Sequence, residues 1–195
     1  GKKQAEEFGE MMFTHFGVTG PIILRLSRRA AELMNGGADT LTLNLNLKPA
    51  LSYEVLHARI ERDFSKYERK QVRNGMIDLL PKRLIDIVLG AAQISPERTT
   101  GQVSTKERNR LAQTLQALLL TITGTRPLAE AIVTAGGVET REIDPRTMAS
   151  KIVRGLYFAG EVVDVDGFTG GYNLQAAFSM GYAAGKYSAD DTESE

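Results

Sequence analysis

The sequence predicts a mixed α/β (α+β) fold, and three stretches support that prediction. Leucines alternate with polar residues through residues 41–47, which is the period of two expected of a half-buried strand. Apolar residues recur at helical spacing through residues 53–117, which indicates a block of helices. Near the C-terminus, residues 155–186 read as a strand, a glycine-rich loop and a helix rich in small residues. This order suggests a helical domain inserted into another domain.

The first elements are marked by glycine and proline. Residues 10–13 predict a short strand, and a tight loop containing Gly17 and Gly20 follows it. Pro21 suits the first turn of a helix, which residues 35–37 (Asn-Gly-Gly) would end. The leucine-rich strand comes next.

The helical block begins at Ser52 and includes further runs near residues 72–80 and 84–92. Ser104 and Glu107 form a capping-box pattern ahead of its last helix. The period then changes, and three strands are predicted at residues 118–123, 130–134 and 156–159. A final helix is predicted from Asn173 to about Lys186, followed by an acidic, serine-rich tail.

Composition limits the classes of function. The chain has no cysteine, which excludes disulfides and thiolate metal sites, and fits a cytoplasmic location. With only His15 and His57 as histidines, far apart in the sequence, we expect no metal site. No apolar run approaches the roughly 18 residues that span a bilayer, so we expect no membrane partner. Because the chain opens Gly-Lys-Lys without an initiator methionine, we interpret it as a fragment.

Basic residues are concentrated in the helical block. Residues 53–110 hold 12 Lys and Arg against 8 Asp and Glu, although the whole chain balances 24 against 24. Such a surface could contact RNA phosphates through the basic residues of 59–73, which are Arg59, Arg62, Lys66, Arg69, Lys70 and Arg73. Glu61, Asp63 and Glu68 lie among them, which favours the alternative of an ordinary salt-bridged helix face.

The segment most informative about chemistry is residues 155–177, GLYFAGEVVDVDGFTGGYNLQAA. An apolar strand stops at Gly160-Glu161, a loop with further glycines follows, and a helix begins near Asn173. Glycines admit a ligand close to the backbone, and the N–H groups and dipole at a helix N-terminus attract an electron-rich group. A carboxylate at the end of a strand can accept hydrogen bonds from sugar hydroxyls. The alternative is close packing of a small-residue helix with no ligand.

This segment resembles the closing FAD motif of two-dinucleotide-binding flavoproteins. More closely, the chain resembles the HI0933-like family of BaiN-like and aminoacetone-oxidase-like flavoproteins. Three blocks carry the resemblance: residues 9–21 (GEMMFTHFGVTGP), residues 133–138 (VTAGGV), and residues 147–151 (TMASK) running into 155–177. They occur in the family's order.

The resemblance implies a domain plan. Residues 1–52 would begin a β-barrel-like middle domain, residues 53–117 would be its helical insertion, and residues 118–138 would supply its return strands. Residues 139–187 would form the C-terminal strand–loop–helix of a Rossmann-like FAD domain, and residues 188–195 a flexible tail.

The resemblance also implies site residues. Glu161, after Gly160, would bind the ribityl or phosphate region of FAD, and Asp164 would lie near it or hold the loop. The turn at the flavin's pyrimidine edge would consist of Gly170, Gly171, Tyr172, Asn173 and Leu174. The N–H groups and dipole of that helix would stabilise negative charge on the reduced flavin. His15, in the first block, would be a candidate acid–base residue, with a hydrogen-bonded structural role as the alternative.

One departure from the family pattern affects the function. The Gly-x-Gly-x-x-Gly strand that grips the pyrophosphate is absent from these residues, so the missing N-terminal FAD-binding half of the same protein is an expected partner. The resemblance implies an oxidoreductase that passes hydride from NAD(P)H through FAD to the C=C bond of a small-molecule substrate. One alternative is a flavoenzyme that reduces uridine in ribosomal RNA, docked by residues 59–73. The other is that the fragment itself is an inactive folding or binding domain.

Overall fold

The structure is a computed structural model that describes residues 2–168 and 170–192. The chain divides into two compact units. Unit 1 comprises Gly1–Asp39 and Gly124–Glu195, and unit 2 comprises Thr40–Thr123. Unit 2 thus contains the leucine-rich strand as well as the helices, whereas the sequence-based boundaries at 53 and 117 enclose the helices alone. The assignment of segments to a barrel-like domain, a helical insertion and an FAD domain stays a prediction.

Unit 2 is a helical group closed by one strand pair. Strand β3 (Leu41–Leu45) and strand β4 (Leu118–Ile122) are antiparallel, with Leu41 opposite Ile122 and Leu45 opposite Leu118. Between them lie helices α2 (Tyr53–Lys66), α3 (Val72–Gly75), α4 (Lys82–Ala91) and α5 (Thr105–Gln116). Their apolar faces form a core that includes the fully buried Leu56, Ile60, Met76, Ile85, Leu89, Leu111 and Leu115. The predicted strands near 41–47 and 118–123 and the predicted helical block are confirmed.

Local capping sets the helix starts in unit 2. Ser52 caps α2 by accepting a hydrogen bond from the Val55 N–H at 3.3 Å. At α5 the capping box is complete, because Ser104 Oγ accepts from Glu107 N while Glu107 Oε2 accepts from Ser104 N at 2.8 Å. Glu107 also pairs with Arg98 at 2.6 Å. These contacts, led by the hydrogen bond from Arg98, lower the pKa of Glu107 from its usual 4.5 to about 2.

Unit 1 begins with a hairpin that leads into a helix. Strand β1 (Met12–Thr14) pairs with strand β2 (Gly17–Thr19), and helix α1 (Pro21–Asn35) follows. Gly20 has φ +105°, and a Cβ there would lie 2.9 Å from the Cα of Met11, so this entry to α1 requires glycine. The predicted helix is confirmed. The strand predicted at 10–13 begins two residues later and ends one residue later, and the second strand of the hairpin was not predicted.

The strands predicted at 130–134 and 156–159 in unit 1 are wrong, because neither segment forms a strand. The chain forms a 3-10 turn at Leu128–Glu130, because Pro127 fixes its own φ and begins the turn, and residues 131–134 form neither a strand nor a helix. Residues 156–159 form no strand and make an isolated antiparallel bridge, Ala149 to Tyr157. Phe158 N–H donates to Met148 O at 3.0 Å, so the segment pairs with the preceding loop rather than with a sheet.

Helix α6 (Tyr172–Thr192) ends the described chain. It begins one residue before the prediction and continues past the predicted end near Lys186, because no glycine or proline follows Lys186 to stop it. Residues 188–192 of the predicted tail are therefore helical, while residues 193–195 lie outside the described residues. Its inward face packs on a small cluster of Ile143, Met148 and Val163.

Over the described part of the chain, the fold is thus mixed α/β with two small sheets. In residues 2–168 and 170–192 the strands pair two by two and close no barrel. No helix in this part of the chain combines the length and the apolar character needed to cross a membrane.

Candidate functional site

The second and third sequence blocks lie side by side in unit 1. Val138 and Val163 form a parallel bridge. Val138 N–H donates to Val162 O at 2.8 Å, and Asp164 N–H donates to Val138 O at 3.0 Å. Residues 134–138 and 161–164 therefore form one local scaffold, although 27 residues of sequence separate Thr134 from Glu161.

Gly137 makes this close approach possible. Its φ is +147°, and a Cβ on Gly137 would lie 2.4 Å from Val162 O and 3.0 Å from Asp164 N. The obstructing atoms are backbone, which cannot rotate away. Only glycine fits this position without moving one segment from the other.

The two predicted acidic residues bind the backbone of the neighbouring block. Glu161 Oε1 accepts hydrogen bonds from the N–H and the hydroxyl of Thr134 at 2.6 and 2.7 Å. These bonds, the backbone one first, lower the pKa of Glu161 and keep it ionised. Asp164 Oδ1 accepts from Gly136 N–H at 3.1 Å. Both carboxylates thus hold residues 134–136 in place, and a role toward FAD stays a prediction.

The glycine loop is fixed from the first turn of α6. Asn173 Oδ1 accepts from Gly167 N–H at 2.6 Å, and Asn173 Nδ2 donates to Gly167 O at 3.2 Å. One amide side chain thereby holds both polar groups of Gly167. Gly170 adopts φ +120°, a conformation that favours glycine.

Helix α6 begins at Tyr172, directly after Gly170 and Gly171. Gln175 N–H donates to Gly171 O at 2.9 Å. The N–H groups of residues 172–174 come before this bond and therefore have no acceptor within the helix. The side chains of Tyr172 and Leu174 are exposed, and the first turn holds no acidic residue. The predicted cofactor-binding residues of the turn, Gly170 to Leu174, lie in unit 1 together with Gly160. The arrangement can accept an electron-rich group through backbone N–H groups and the helix dipole.

A further contact reaches this loop from α1 and was not predicted. Arg28 Nη1 donates to Asp166 Oδ1 and Oδ2, each at 2.5 Å. The two residues are 138 positions apart. No local pattern in the sequence signals a pairing at that separation.

His15 lies away from the contacts described above. It occupies the exposed tip of the β1–β2 hairpin and meets Phe16 edge-on, with ring centroids 5.1 Å apart. The guanidinium of Arg126 lies 4.7 Å from the centroid of the same Phe16 ring. Among the described residues, His15 makes no hydrogen bond, ion pair or ring contact with residues 160–168 or 170–174, so its catalytic role stays a prediction.

The basic residues of 59–73 lie in unit 2, and most pair with carboxylates. Arg59 and Arg62 approach Asp63 at 3.4 and 3.7 Å. Lys66 pairs with Asp78 at 3.4 Å, and Arg73 pairs with Asp86 at 2.9 Å. These contacts match the alternative of a salt-bridged helix face.

No group of three potential metal ligands occurs within residues 2–168 and 170–192.

Residues 1–133 match the family described as "HI0933-like protein barrel and H2TH domain". The 3-dehydro-bile acid delta(4,6)-reductase of Clostridium scindens is 31% identical over 186 residues, which cover 95% of this chain and 45% of that protein. The ribosomal RNA dihydrouridine synthase of Escherichia coli is 33% identical over 175 residues, which cover 89% of this chain and 40% of that protein. Its Haemophilus influenzae counterpart is 32% identical over 176 residues, covering 90% and 41%.

The chain spans less than half the length of these curated relatives. The relatives' matches cover most of this chain, whereas the family match ends at residue 133, before the glycine loop and α6. Because the family match takes in more than half of the chain, the chain belongs to the HI0933-like family.

Proposed function

We propose that this chain is the C-terminal part of an FAD-dependent oxidoreductase. The observation that carries the proposal is the joint scaffold of residues 134–138 and 161–164, together with the glycines that precede the first turn of α6. Family membership and two kinds of relatives with oxidoreductase names support it.

The residues of the turn fit FAD. Gly170 and Gly171 place no side chain beside the first turn of α6, and Asn173 fixes the loop that precedes it. The N–H groups at Tyr172 and Leu174 and the helix dipole would hold the electron-rich edge of the flavin. When bound, FAD supplies hydride transfer. Glu161, already ionised and anchored by Thr134, would bind hydroxyls of the ribityl region.

The class of substrate is inferred from the relatives' names. A delta(4,6)-reductase acts at carbon–carbon double bonds, and a dihydrouridine synthase produces the saturated form of a pyrimidine. We therefore propose reduction of a C=C bond in a small-molecule substrate, with NAD(P)H as the electron donor. A cytoplasmic location stays a prediction.

The proposed partner is the remainder of the same polypeptide. The outward face of α6 carries Leu174, Phe178 and Tyr182 at successive turns, with 63%, 71% and 77% of each exposed. A stripe of large apolar side chains exposed to this extent marks a surface that packs against another part of a protein. The relatives are more than twice as long as the region aligned with this chain. A segment corresponding to their additional length would supply such a part. We propose that the N-terminal FAD-binding half covers this face.

An isosteric change at Asn173 tests the cofactor proposal. In the full-length protein, Asn173→Asp adds a negative charge to the first turn of α6 and removes the amide donor to Gly167 O. FAD affinity, measured by quenching of flavin fluorescence, is expected to fall at least tenfold. Asn44→Asp makes the same chemical change at an exposed position of β3 in unit 2 and should leave affinity unchanged. Equal affinities for both variants would contradict the assignment.

Reduction of uridine in ribosomal RNA is a second candidate, favoured by two relatives with that name. In this proposal the exposed Arg69 and Lys70 contact RNA phosphates. The other four basic residues of 59–73 already form ion pairs with carboxylates. Removing both charges should reduce the slope of log affinity against log salt by about 1.5. Removing Lys82 and Arg83, two exposed charges on α4, is the matched control. Equal slopes for the two double variants would exclude docking by residues 59–73.

The 195-residue chain alone is proposed to be inactive. It would act as a folding and docking domain, because it lacks the predicted pyrophosphate-binding segment. Tight FAD binding by the isolated chain would contradict this.

A further inference from the structure

The loop before α6 is tied to helix α1 by the ion pair of Arg28 and Asp166. The Asp166 side chain is 19% exposed, whereas that of Arg28 is 56% exposed, so the carboxylate is the more sheltered partner. Arg28 also pairs with Glu32 at 3.1 Å on its own helix. Within the part of the chain that the structure describes, Arg28 is the cation that balances Asp166.

Asp166 occupies a sensitive position. It directly precedes Gly167, whose N–H and C=O are both held by the side chain of Asn173. The loop is therefore held from two sides, by the first turn of α6 and by the middle of α1. A change at Arg28 would release one of these two attachments.

Asp166 is also the third carboxylate within six residues, after Glu161 and Asp164. Glu161 and Asp164 accept hydrogen bonds from neutral groups of residues 134–136, while Asp166 is paired with a full positive charge. Three negative charges beside a site for an electron-rich ligand would repel that ligand. The guanidinium of Arg28 reduces this repulsion.

We propose that Arg28 is a positioning residue that holds the loop before α6 and neutralises Asp166, so that the turn can accept an anionic, electron-rich cofactor. The inference rests on the proposed function for the identity of that cofactor, FAD. It assigns to α1, outside the glycine-rich motif, a role in cofactor affinity. Its electrostatic part predicts that losing Arg28 disfavours the reduced, more negative flavin more than the oxidised one.

The experiment compares Arg28→Gln, Asp166→Asn and the double variant in the full-length protein. Arg28→Gln should weaken FAD binding about fivefold, the effect of losing a partly exposed ion pair. It should also lower the flavin reduction potential. The double variant should recover affinity and potential toward wild type, because the unbalanced carboxylate has been removed.

Arg29→Gln is the matched control. Arg29 is the next residue of α1 and pairs with Glu32 at 3.0 Å, so its loss removes the same charge from the same helix without touching Asp166. Equal effects of Arg28→Gln and Arg29→Gln would overturn the inference. A double variant as weak as Arg28→Gln would overturn its electrostatic part.

Amide hydrogen exchange of residues 164–168 in the flavin-free protein separates this inference from the proposed function. Arg28→Gln should speed that exchange about fivefold, and Arg29→Gln should not. If wild type binds no FAD but the exchange responds as stated, the proposed function fails while the positioning role stands. Unchanged exchange in a wild type that does bind FAD overturns the positioning role alone.

Discussion

Replacing Gly137 with alanine should separate the two segments that form the candidate site. The new Cβ would lie 2.4 Å from Val162 O, well inside van der Waals contact. Relief requires moving residues 134–138 away from 161–164, which weakens two backbone hydrogen bonds, Val138 to Val162 and Asp164 to Val138.

The magnitude follows from two contributions. A positive φ at a residue with a side chain costs about 1–3 kcal/mol, and Gly137 has φ +147°. Overpacking against a fixed backbone adds about 1–3 kcal/mol, in line with the loss of two hydrogen bonds at about 1 kcal/mol each. The expected local destabilisation by Gly137→Ala is therefore about 4 kcal/mol.

Gly136→Ala isolates the steric contribution. Gly136 also has a positive φ, +100°, but a Cβ there would meet nothing within 4 Å. It should incur only the conformational cost, about 2 kcal/mol less than Gly137→Ala.

The assay is amide hydrogen exchange at Val138 and Asp164 in the full-length protein. A difference of about 2 kcal/mol corresponds to roughly 30-fold faster exchange in Gly137→Ala than in Gly136→Ala. Equal exchange in the two variants would refute the argument that close approach of the two backbones requires glycine at 137.

Three further predictions concern unit 2 and are measured by urea unfolding. Gln93→Gly should stabilise by about 1 kcal/mol, because Gln93 has φ +54° after α4 and glycine favours that conformation; an unchanged midpoint would contradict it. Thr100→Val should cost about 1–3 kcal/mol, because the buried Thr100 hydroxyl donates its one proton to Tyr67 O at 2.7 Å or to Phe64 O at 2.9 Å; a neutral effect would mean that water replaces it. Glu107→Gln should flatten the pH dependence: the folded pKa of Glu107 is about 2, so its stabilisation is complete above pH 4.5 and lost as the pH falls toward 2. An identical loss of stability between pH 5 and pH 3 in both proteins would contradict that pKa.

The elements that the sequence predicted correctly are specified locally. Pro21 marks the start of α1, Ser104 and Glu107 form the capping box of α5, and the alternating leucines form β3. Each signal lies within a few residues of the element that it defines, so it can be read without tertiary information.

The parts that were missed depend on distant partners or on missing stop signals. Residues 130–134 have apolar character, but Pro127 and the approach of 134–138 to 161–164 decide their conformation. The Arg28–Asp166 pair joins residues 138 positions apart, which no local period can reveal. The candidate turn at 170–174 was predicted from its glycines and from the family resemblance. The hydrogen bonds between the Asn173 side chain and Gly167 are visible only in the three-dimensional structure.

The most direct test of the central claim is the visible absorption spectrum of the full-length protein, recorded anaerobically before and after addition of NAD(P)H. We expect flavin bands from about one FAD per chain, and their bleaching on addition of the reduced nicotinamide. A protein without flavin bands, even after reconstitution with excess FAD, would contradict the assignment of residues 160–174 as a flavin site.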